Sequence, residues 1–99
     1  MKRSYRISRL AELDLEEIWM YSYHTWSKTQ ADNYYHQLFK SIDALCKHPE
    51  QGISIDDIKQ GHRKMLVNSH MIIYKYDQYE VWIDRILHQR MDIEMWIAE

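Results

Sequence analysis

The sequence has little of what marks several common protein classes. A single cysteine, Cys46, rules out a disulfide within the chain and suits a reducing compartment such as the cytoplasm. One proline and two glycines are too few for a flexible linker or a disordered tail. No apolar run approaches the roughly 20 residues that span a bilayer, and none follows the basic N-terminus. We therefore expect a cytoplasmic protein with neither a membrane contact nor a signal peptide.

A strong charge of either sign is also missing, because the net charge is only -2. Proteins that bind nucleic acid usually present a net basic surface, since phosphate contacts supply most of their affinity. Residues 59–92 contain six Lys or Arg and four Asp or Glu, which gives a local sum of +2. This bias is mild. It fits a protein partner better than nucleic acid, and we predict no direct sequence-specific nucleic-acid binding.

The 99 residues predict one domain, 1–99, because a chain of this length cannot enclose two hydrophobic cores. Residues 3–7 alternate apolar and polar side chains and predict a first strand. Ser8 can cap a first helix. Its apolar stripe recurs at spacings of three and four and comprises Ala11, Leu15, Ile18, Ser22 and Trp26. The acidic side chains that mark the opposite, solvated side are Asp14, Glu16 and Glu17.

A second helix begins after Ser27, which forms a capping-box pattern with Gln30. It ends near His48, because Pro49 disfavours helix at the residue before it. The short link between the helices predicts an antiparallel hairpin. The apolar stripe of this helix, near which Cys46 also lies as a core residue, comprises Ala31, Tyr34, Tyr35, Leu38, Ile42 and Leu45.

The second half of the chain reads as an irregular connection, Glu50 to Lys59, and then as strands. Two turns, Asn68-Ser69 and Asp77-Gln78, separate three strand-like runs and predict an antiparallel meander. The runs are Gly61–Val67, Ser69–Tyr76 and Tyr79–His88, and a short helix within Met91 to Ile97 closes the chain. The predicted fold is α+β: an N-terminal strand, an antiparallel two-helix hairpin, a three-stranded antiparallel meander and a short C-terminal helix. The first strand can join the meander as a fourth strand.

The order of motifs along nearly the whole chain resembles one known family. The opening from Tyr5 to Ile18 contains a strand, Ser8 and an Ala-x-x-Asp-Leu-x-x-Ile pattern. Later come Gly61-x-Arg63, then His70-x-Ile72-x-Tyr74, and finally Arg85-Ile86-Leu87-His88-x-x-Met91-Asp92. This ordered set resembles the ParE toxins of bacterial type II toxin–antitoxin systems, whose RelE/ParE-like fold agrees with the predicted elements.

The resemblance implies a toxin that inhibits DNA gyrase by trapping it on cleaved DNA, without chemistry of its own. On this hypothesis the gyrase contacts come from the motif and from the tail that follows it. We predict Arg63, Arg85, His88, Met91, Asp92 and Trp96. Two structural alternatives stay open: Arg85 pairs with Asp84, Asp92 or a helix carboxylate, and Trp96 packs back on the sheet.

The resemblance also implies a second partner, a ParD-like antitoxin with a flexible segment that folds over the toxin. Such coupled folding needs an exposed apolar groove. The helix hairpin carries more aromatic side chains than two helices over a sheet can bury, and Tyr and Trp are enriched at binding hot spots. The residues that we predict for the antitoxin are Trp19, Tyr23, Tyr34, Tyr35 and Leu38.

Two other functions remain as alternatives. A RelE-like ribosome-dependent ribonuclease shares the fold, and its chemistry requires an acid, a base and a strand arginine that stabilises phosphate charge. Here His70 to Tyr74 replaces the usual Arg-Leu-x-Tyr strand, and Gln89 rather than Tyr follows His88. The third alternative is a relative without toxicity that only binds an antitoxin or co-regulates transcription.

The sequence predicts no cofactor and no metal. Six histidines are present, but none pairs with another at i,i+4 on one helix, and there is no cysteine cluster. His62 and His70 could meet across a hairpin, yet two ligands do not make a metal site. No glycine-rich phosphate loop occurs either, so no nucleotide cofactor is implied.

Overall fold

The computed structural model describes residues 2–97 and contains the predicted helices and strands in the predicted order, together with one additional short strand and a 3₁₀ turn. Three helices, five strands and a single 3₁₀ turn make up the described chain. The helices are α1 (Arg9–Thr25), α2 (Lys28–Lys47) and α3 (Ile93–Ile97), and the 3₁₀ turn is Pro49–Gln51. The strands are β1 (Ser4–Ile7), β2 (Ile53–Ser54), β3 (Arg63–Val67), β4 (His70–Tyr76) and β5 (Glu80–His88).

Both long helices begin where the capping signals place them. The Ser8 hydroxyl accepts the Ala11 N–H at 3.0 Å, and the Ser27 hydroxyl accepts the Gln30 N–H at 3.1 Å. Each bond satisfies one of the amides that the first turn of a helix leaves without a partner. α2 ends at Lys47, one residue before the His48 cap and two before Pro49. These boundaries are set by local chemistry, and the sequence prediction of them is confirmed.

The sheet has five strands in the order β1-β5-β4-β3-β2. β3, β4 and β5 form the predicted antiparallel meander, and β1 joins it beside β5. That pairing is parallel, so the sheet is mixed. β2 was not predicted. It lies in the stretch that we expected to be irregular, and its two residues are too few to show a strand periodicity.

The helix hairpin covers one face of the sheet, and a smaller group of residues covers part of the other. On the helix side, buried residues of α1 and α2 such as Leu15, Leu38 and Ile42 pack against Ile72 and Ile83 of the strands. On the opposite side, Ile55 of the connection and Ile93 and Ile97 of α3 pack against Met71, Ile73 and Leu87. α3 is therefore fixed to the back of the sheet through its two buried isoleucines.

Trp26 was expected in the apolar stripe of α1, and this prediction is wrong. Its side chain is 70% exposed. α1 ends at Thr25, and Trp26 is the C-cap residue with φ -118° and ψ -82°. Helical spacing places side chains only while the helix continues, so the period of three to four residues does not extend to this position.

The phenol of Tyr74 connects the sheet to the chain that leads from α2 to β2. Tyr74 is fully buried, and its hydroxyl donates to the Pro49 carbonyl at 2.6 Å. The same oxygen accepts the Gly52 N–H at 2.9 Å. A Cβ at Gly52 would also lie only 2.9 Å from the Lys64 carbonyl oxygen, so the close approach of β2 to the sheet requires glycine here. One hydroxyl thus satisfies two backbone groups that the core encloses.

Replacing Tyr74 with Phe should lower the free energy of unfolding by about 1–3 kcal/mol, because a buried amide and carbonyl lose their partner. Urea unfolding followed by circular dichroism measures the change. Tyr79→Phe is the matched control, because Tyr79 is 67% exposed. The free energy of unfolding of this variant should stay within about 0.5 kcal/mol of the parent value. Equal effects of the two substitutions would contradict this role of Tyr74.

Candidate functional site

The carboxyl half of β5 has a free edge because β1 stops early. Ile7, the last residue of β1, lies opposite Ile83, and within residues 2–97 no strand follows along that edge. At the same point the register with β4 shifts, from Tyr74 opposite Ile83 to Ile73 opposite Arg85. Asp84 is the extra residue of this β-bulge. A bulge bends a strand and changes the direction of the side chains that follow it.

The carboxylate of Asp14, on α1, fills the place that β1 leaves. It accepts two bonds from the Arg85 guanidinium, from Nε and Nη2, each at 2.9 Å. It also accepts the backbone N–H of Ile86 at 2.9 Å. The Arg85 and Asp14 side chains are each only 14% exposed, and the hydrogen bond to Asp14 raises the pKa of Arg85. The helix-carboxylate alternative for Arg85 is confirmed, and the expectation that Asp14 is solvated is wrong.

Arg85 also holds the C-terminal helix. Its Nη1 donates to the Trp96 carbonyl at 3.2 Å, and the guanidinium lies 5.8 Å from the centre of the Trp96 ring. Trp96 thus lies against Arg85 of the sheet, as the packing alternative had it, yet 47% of the residue stays exposed. Met91 and Met95 are exposed nearby, at 37% and 78%. The end of β5 and α3 thus carry exposed apolar and aromatic side chains, and the hydrogen bonds of Arg85 hold the backbone beneath them.

The structure brings five of the six residues predicted for gyrase to this end of the molecule. We call them the β5–α3 surface: Arg85, His88, Met91, Asp92 and Trp96. Arg63 lies elsewhere. It is at the start of β3, opposite Tyr74, whereas it is the other end of β3 that lies opposite His70 and so near His88. Its guanidinium donates to the carbonyls of Glu50 and Gly52, at 3.2 and 2.7 Å. Arg63 therefore supports the connection before β3.

Two histidines and a tyrosine meet beside the β5–α3 surface. His70 and His88 are paired across β4 and β5, with ring centres 5.4 Å apart. The Tyr34 hydroxyl donates to the Val67 carbonyl at 3.0 Å and lies 2.7 Å from His70 Nδ1. Burial, and then the neighbouring His88, lower the pKa of His70 to about 4. His70 is therefore neutral at pH 7. His62, which was considered as a partner of His70 across a hairpin, lies at the other end of β3.

A groove of about 660 Å³ opens between the helix hairpin and the end of β5. We call it the hairpin groove. Its polar groups are two carboxylates of α1, the paired histidines and a few hydroxyl and amide side chains, and the rest of its wall is apolar or aromatic. Its lining comprises Asp14, Glu17, Ile18, Tyr21, Ser22, Trp26, Gln30, Tyr34, Ser69, His70, Ile86, Leu87, His88 and Met91.

The residues predicted for the antitoxin divide between two surfaces and the core. Trp19 and Tyr23 stack at 5.2 Å on α1, and Tyr35 packs on Phe39 of α2 at 5.0 Å. We call these four the outer aromatic cluster. Tyr34 points instead into the hairpin groove. Leu38 must be removed from the set, because its side chain is fully buried and no partner can reach it.

Sequence reasoning missed several residues that organise this region. Glu17 and Tyr21 line the hairpin groove, and neither belongs to the apolar stripe of α1. His62 is almost fully buried, and its Nε2 lies 2.5 Å from the Asp84 carboxylate. No local signal in the sequence marks a pair such as His62 and Asp84, since the two residues are distant along the chain. The spacing of Glu17 and Tyr21 one turn apart on α1 was the one available clue.

Neither a metal centre nor a membrane span is found in the part of the chain that the structure describes. Within residues 2–97, no three His, Cys, Asp or Glu side chains are grouped so that they could hold a metal ion. No helix in the same range is long and apolar enough to cross a membrane. The contacts that organise this region are hydrogen bonds, ion pairs and aromatic packing.

Comparison with known proteins identifies the family. The model of the ParE toxin of type II toxin–antitoxin systems, parDE, matches residues 5–93. The chain belongs to the ParE toxin family. Relatives named Toxin ParE1, from Mycobacterium tuberculosis strains CDC 1551 and H37Rv, are 36% identical over 95 residues and cover 95% of this chain and 97% of their own. Toxin ParE1 of Caulobacter vibrioides strain CB 15 is 36% identical over 90 residues, which cover 91% of this chain and 93% of the relative.

The fold of this ParE family member also occurs in a solved structure. A chain of the chromosomal ParDE TA system from P. aeruginosa superimposes with a TM-score of 0.76. The alignment covers 88% of this chain and 96% of the other, at 18% identity. The likeness confirms the RelE/ParE-like fold.

Asp14→Ala should lower the free energy of unfolding by roughly 3 kcal/mol, because it leaves a largely buried guanidinium and the Ile86 amide without their partner. The control is Asp43→Ala, which removes an exposed carboxylate that pairs with Lys2 and Lys47 and should change stability little. Urea unfolding of both variants measures the difference. Similar losses in the two would contradict the role of Asp14.

The lowered pKa of His70 makes the stability of this toxin pH-dependent. Above the unfolded-state pKa of about 6.5 His70 is neutral in both states, and its contribution is complete. As the pH falls from about 6.5 to about 4, the unfolded chain takes up a proton that the folded chain excludes, so stability is lost. His70 should account for roughly 1–2 kcal/mol, after allowance for its partial exposure.

Urea unfolding at pH 7 and at pH 4.5 tests this, with His70→Gln as the comparison. The parent should lose more stability between the two pH values than the variant does. Equal losses would show that His70 titrates in the folded protein as it does in the unfolded chain.

Proposed function

We propose that this ParE family member is a toxin that traps DNA gyrase on cleaved DNA, and that a ParD-like antitoxin neutralises it. The β5–α3 surface is the gyrase contact in this proposal. The observation that carries it is the combination of the half-exposed Trp96 with the exposed Met91 on a rigid, ion-paired support. Trp and Met are enriched at protein interfaces, and an ordered backbone support lowers the conformational entropy that binding costs.

The arrangement supports an inhibitor rather than a nuclease. Both forks of the Arg85 guanidinium are engaged, with Asp14 and with the Trp96 carbonyl, so it is not available to stabilise a scissile phosphate. His70 is a weak base because its pKa is lowered to about 4. General acid–base catalysis is most effective with a pKa near the working pH. No catalytic residue is assigned, and the RelE-like alternative has no support of its own.

Two surfaces are open to an antitoxin. The outer aromatic cluster provides Trp19, Tyr23 and Tyr35 on the hairpin, and the hairpin groove provides Tyr34 together with aromatic residues at its mouth. Tyr21 and Trp26 there are 68% and 70% exposed. Large exposed aromatic residues at a groove are typical of a surface that a partner covers. The solved chain with the same fold comes from a ParDE system, and this supports a ParD-like partner.

A gyrase assay with the purified toxin tests the function directly. It scores supercoiling together with the accumulation of linear, protein-linked DNA. The proposal expects linear DNA to increase with toxin concentration and to disappear when a ParD-like antitoxin is added first. Unchanged gyrase would contradict the proposal, and cleavage of mRNA in the ribosomal A site would then be the activity to measure.

Trp96→Ala should raise the toxin concentration needed for half-maximal DNA cleavage by at least roughly tenfold, the loss expected of an aromatic hot spot. Tyr79→Ala is the control. Tyr79 is also exposed, at 67%, but it lies before the start of β5, at the opposite end of that strand. Circular dichroism confirms that both variants fold. Equal potency of the two would remove Trp96 from the gyrase contact.

A further inference from the structure

The β-bulge at Asp84 decides which face of the sheet each residue at the end of β5 occupies. Successive residues of a strand point to opposite faces, and Ile83 packs in the core beneath the helix hairpin. Strict alternation from Ile83 would place Leu87 on that side, and Ile86 and His88 on the back. The structure has the reverse, because Ile86 packs beneath the helices and Leu87 packs in the back core. The extra residue therefore exchanges the two faces for the rest of the strand.

All five residues of the β5–α3 surface come after Asp84 in the chain, so their placement depends on the bulge. α3 docks on the back of the sheet because Ile93 and Ile97 pack in one core with Leu87 there. His88 faces the helix side and lines the hairpin groove. A β5 without the bulge would turn Leu87 away from α3 and His88 away from the groove.

Asp84 is held from two directions, although the extra residue of a bulge has no partner on the neighbouring strand. Its carbonyl accepts the Ser8 hydroxyl at 2.6 Å. Its carboxylate lies 2.5 Å from Nε2 of His62, which is only 4% exposed. The other ring nitrogen of His62, Nδ1, lies 3.1 Å from the Gln60 carbonyl. An acceptor at each ring nitrogen therefore fixes the orientation of the imidazole and points Nε2 at the bulge.

The connection between β2 and β3 is closed by hydrogen bonds that do not involve the imidazole of His62. The Ile55 N–H donates to the His62 carbonyl at 2.9 Å, and the His62 N–H donates to the Lys59 carbonyl at 3.2 Å. The Asp56 carboxylate accepts the Gly61 N–H at 2.8 Å. Because the backbone and a local carboxylate hold this connection, the side chain of His62 serves the bulge rather than its own loop.

We propose that His62 is a positioning residue for the gyrase contact. It holds the carboxylate of the bulged Asp84, and the bulge sets the placement of the β5–α3 surface. Within residues 2–97, His62 forms no hydrogen bond with that surface, so its effect passes through Asp84. The inference rests on the proposed gyrase function, and it names a residue outside the contact on which that function depends.

Two substitutions of His62 separate its hydrogen bond from its volume. His62→Leu fills the buried site but leaves the Asp84 carboxylate without this donor, whereas the side-chain amide that His62→Gln introduces can donate to it. The assay measures the cleaved DNA that gyrase accumulates with the full-length toxin. His62→Leu should raise the half-maximal toxin concentration at least roughly tenfold, because the bulge is released and the contact is no longer pre-organised. His62→Gln should stay within about threefold of the parent, because it keeps the donor.

A loss of stability alone gives a different result. Tyr74→Phe also removes buried hydrogen bonds, yet it should keep the potency of the parent because the bulge is intact. Amide exchange in the free toxins reports on the bulge directly, through the Ile86 N–H that Asp14 accepts. Relative to the amide of the fully buried Ile72, it should exchange at least roughly tenfold faster in His62→Leu than in the parent. Tyr74→Phe should leave this ratio unchanged.

The route through Asp84 has its own test. Asp84→Ala should lower potency about as much as His62→Leu does, and adding His62→Leu to it should cost less than about threefold more, because the two residues act as one pair. A full effect of His62→Leu in the Asp84→Ala background would overturn the route.

Three outcomes decide the positioning role. Equal potency of His62→Leu and His62→Gln, with the unmodified toxin active on gyrase, would overturn it and leave the gyrase function standing. Equal losses in His62→Leu and Tyr74→Phe would also overturn it, because stability alone would then explain the loss. If the unmodified toxin leaves gyrase unchanged, the proposed function itself fails, and the positioning role fails with it.

Discussion

The Asp14 carboxylate holds together the end of the molecule on which the proposed functions depend. β5 extends past the end of β1, and a lone edge there would leave the Ile86 amide and the Arg85 guanidinium without partners. Asp14 satisfies both from α1. Because Arg85 in turn binds the Trp96 carbonyl, one carboxylate fixes the hairpin, the last strand and the C-terminal helix relative to one another. Breaking a largely buried pair of this kind is costly, since the remaining charge has no water to replace its partner.

The same arrangement bears on the two binding surfaces proposed for this small protein, whose net charge is -2. Two of its arginines are used internally: Arg85 pairs with Asp14, and Arg63 binds backbone carbonyls. The surface there carries large aromatic side chains, with Trp96 on one side and Tyr21 in the hairpin groove. His88 and Met91 belong to both the β5–α3 surface and the groove. In the proposed mechanism, an antitoxin in the groove would therefore cover part of the gyrase contact.

Local signals predicted most of the fold, and long-range contacts account for the errors. Capping serines, Pro49 and the two meander turns act within a few residues, so the boundaries that they set can be read from the sequence. Asp14 and Arg85 are 71 residues apart, and no spacing rule connects them. Arg63 was grouped with Arg85 because both stand in family motifs, but the register of β3 places it at the other end of the sheet. Leu38 shows that an apolar stripe does not separate core from contact residues.

The central claim is that gyrase meets this toxin at the end of β5 and α3. Hydrogen–deuterium exchange of the full chain, free and bound to a gyrase–DNA cleavage complex, measures this directly. The account predicts slower exchange in residues 85–97 on binding, with little change at the start of β3, where Arg63 is tied to the connection before it. Protection confined to the outer aromatic cluster or to the start of β3, with residues 85–97 unchanged, would contradict it.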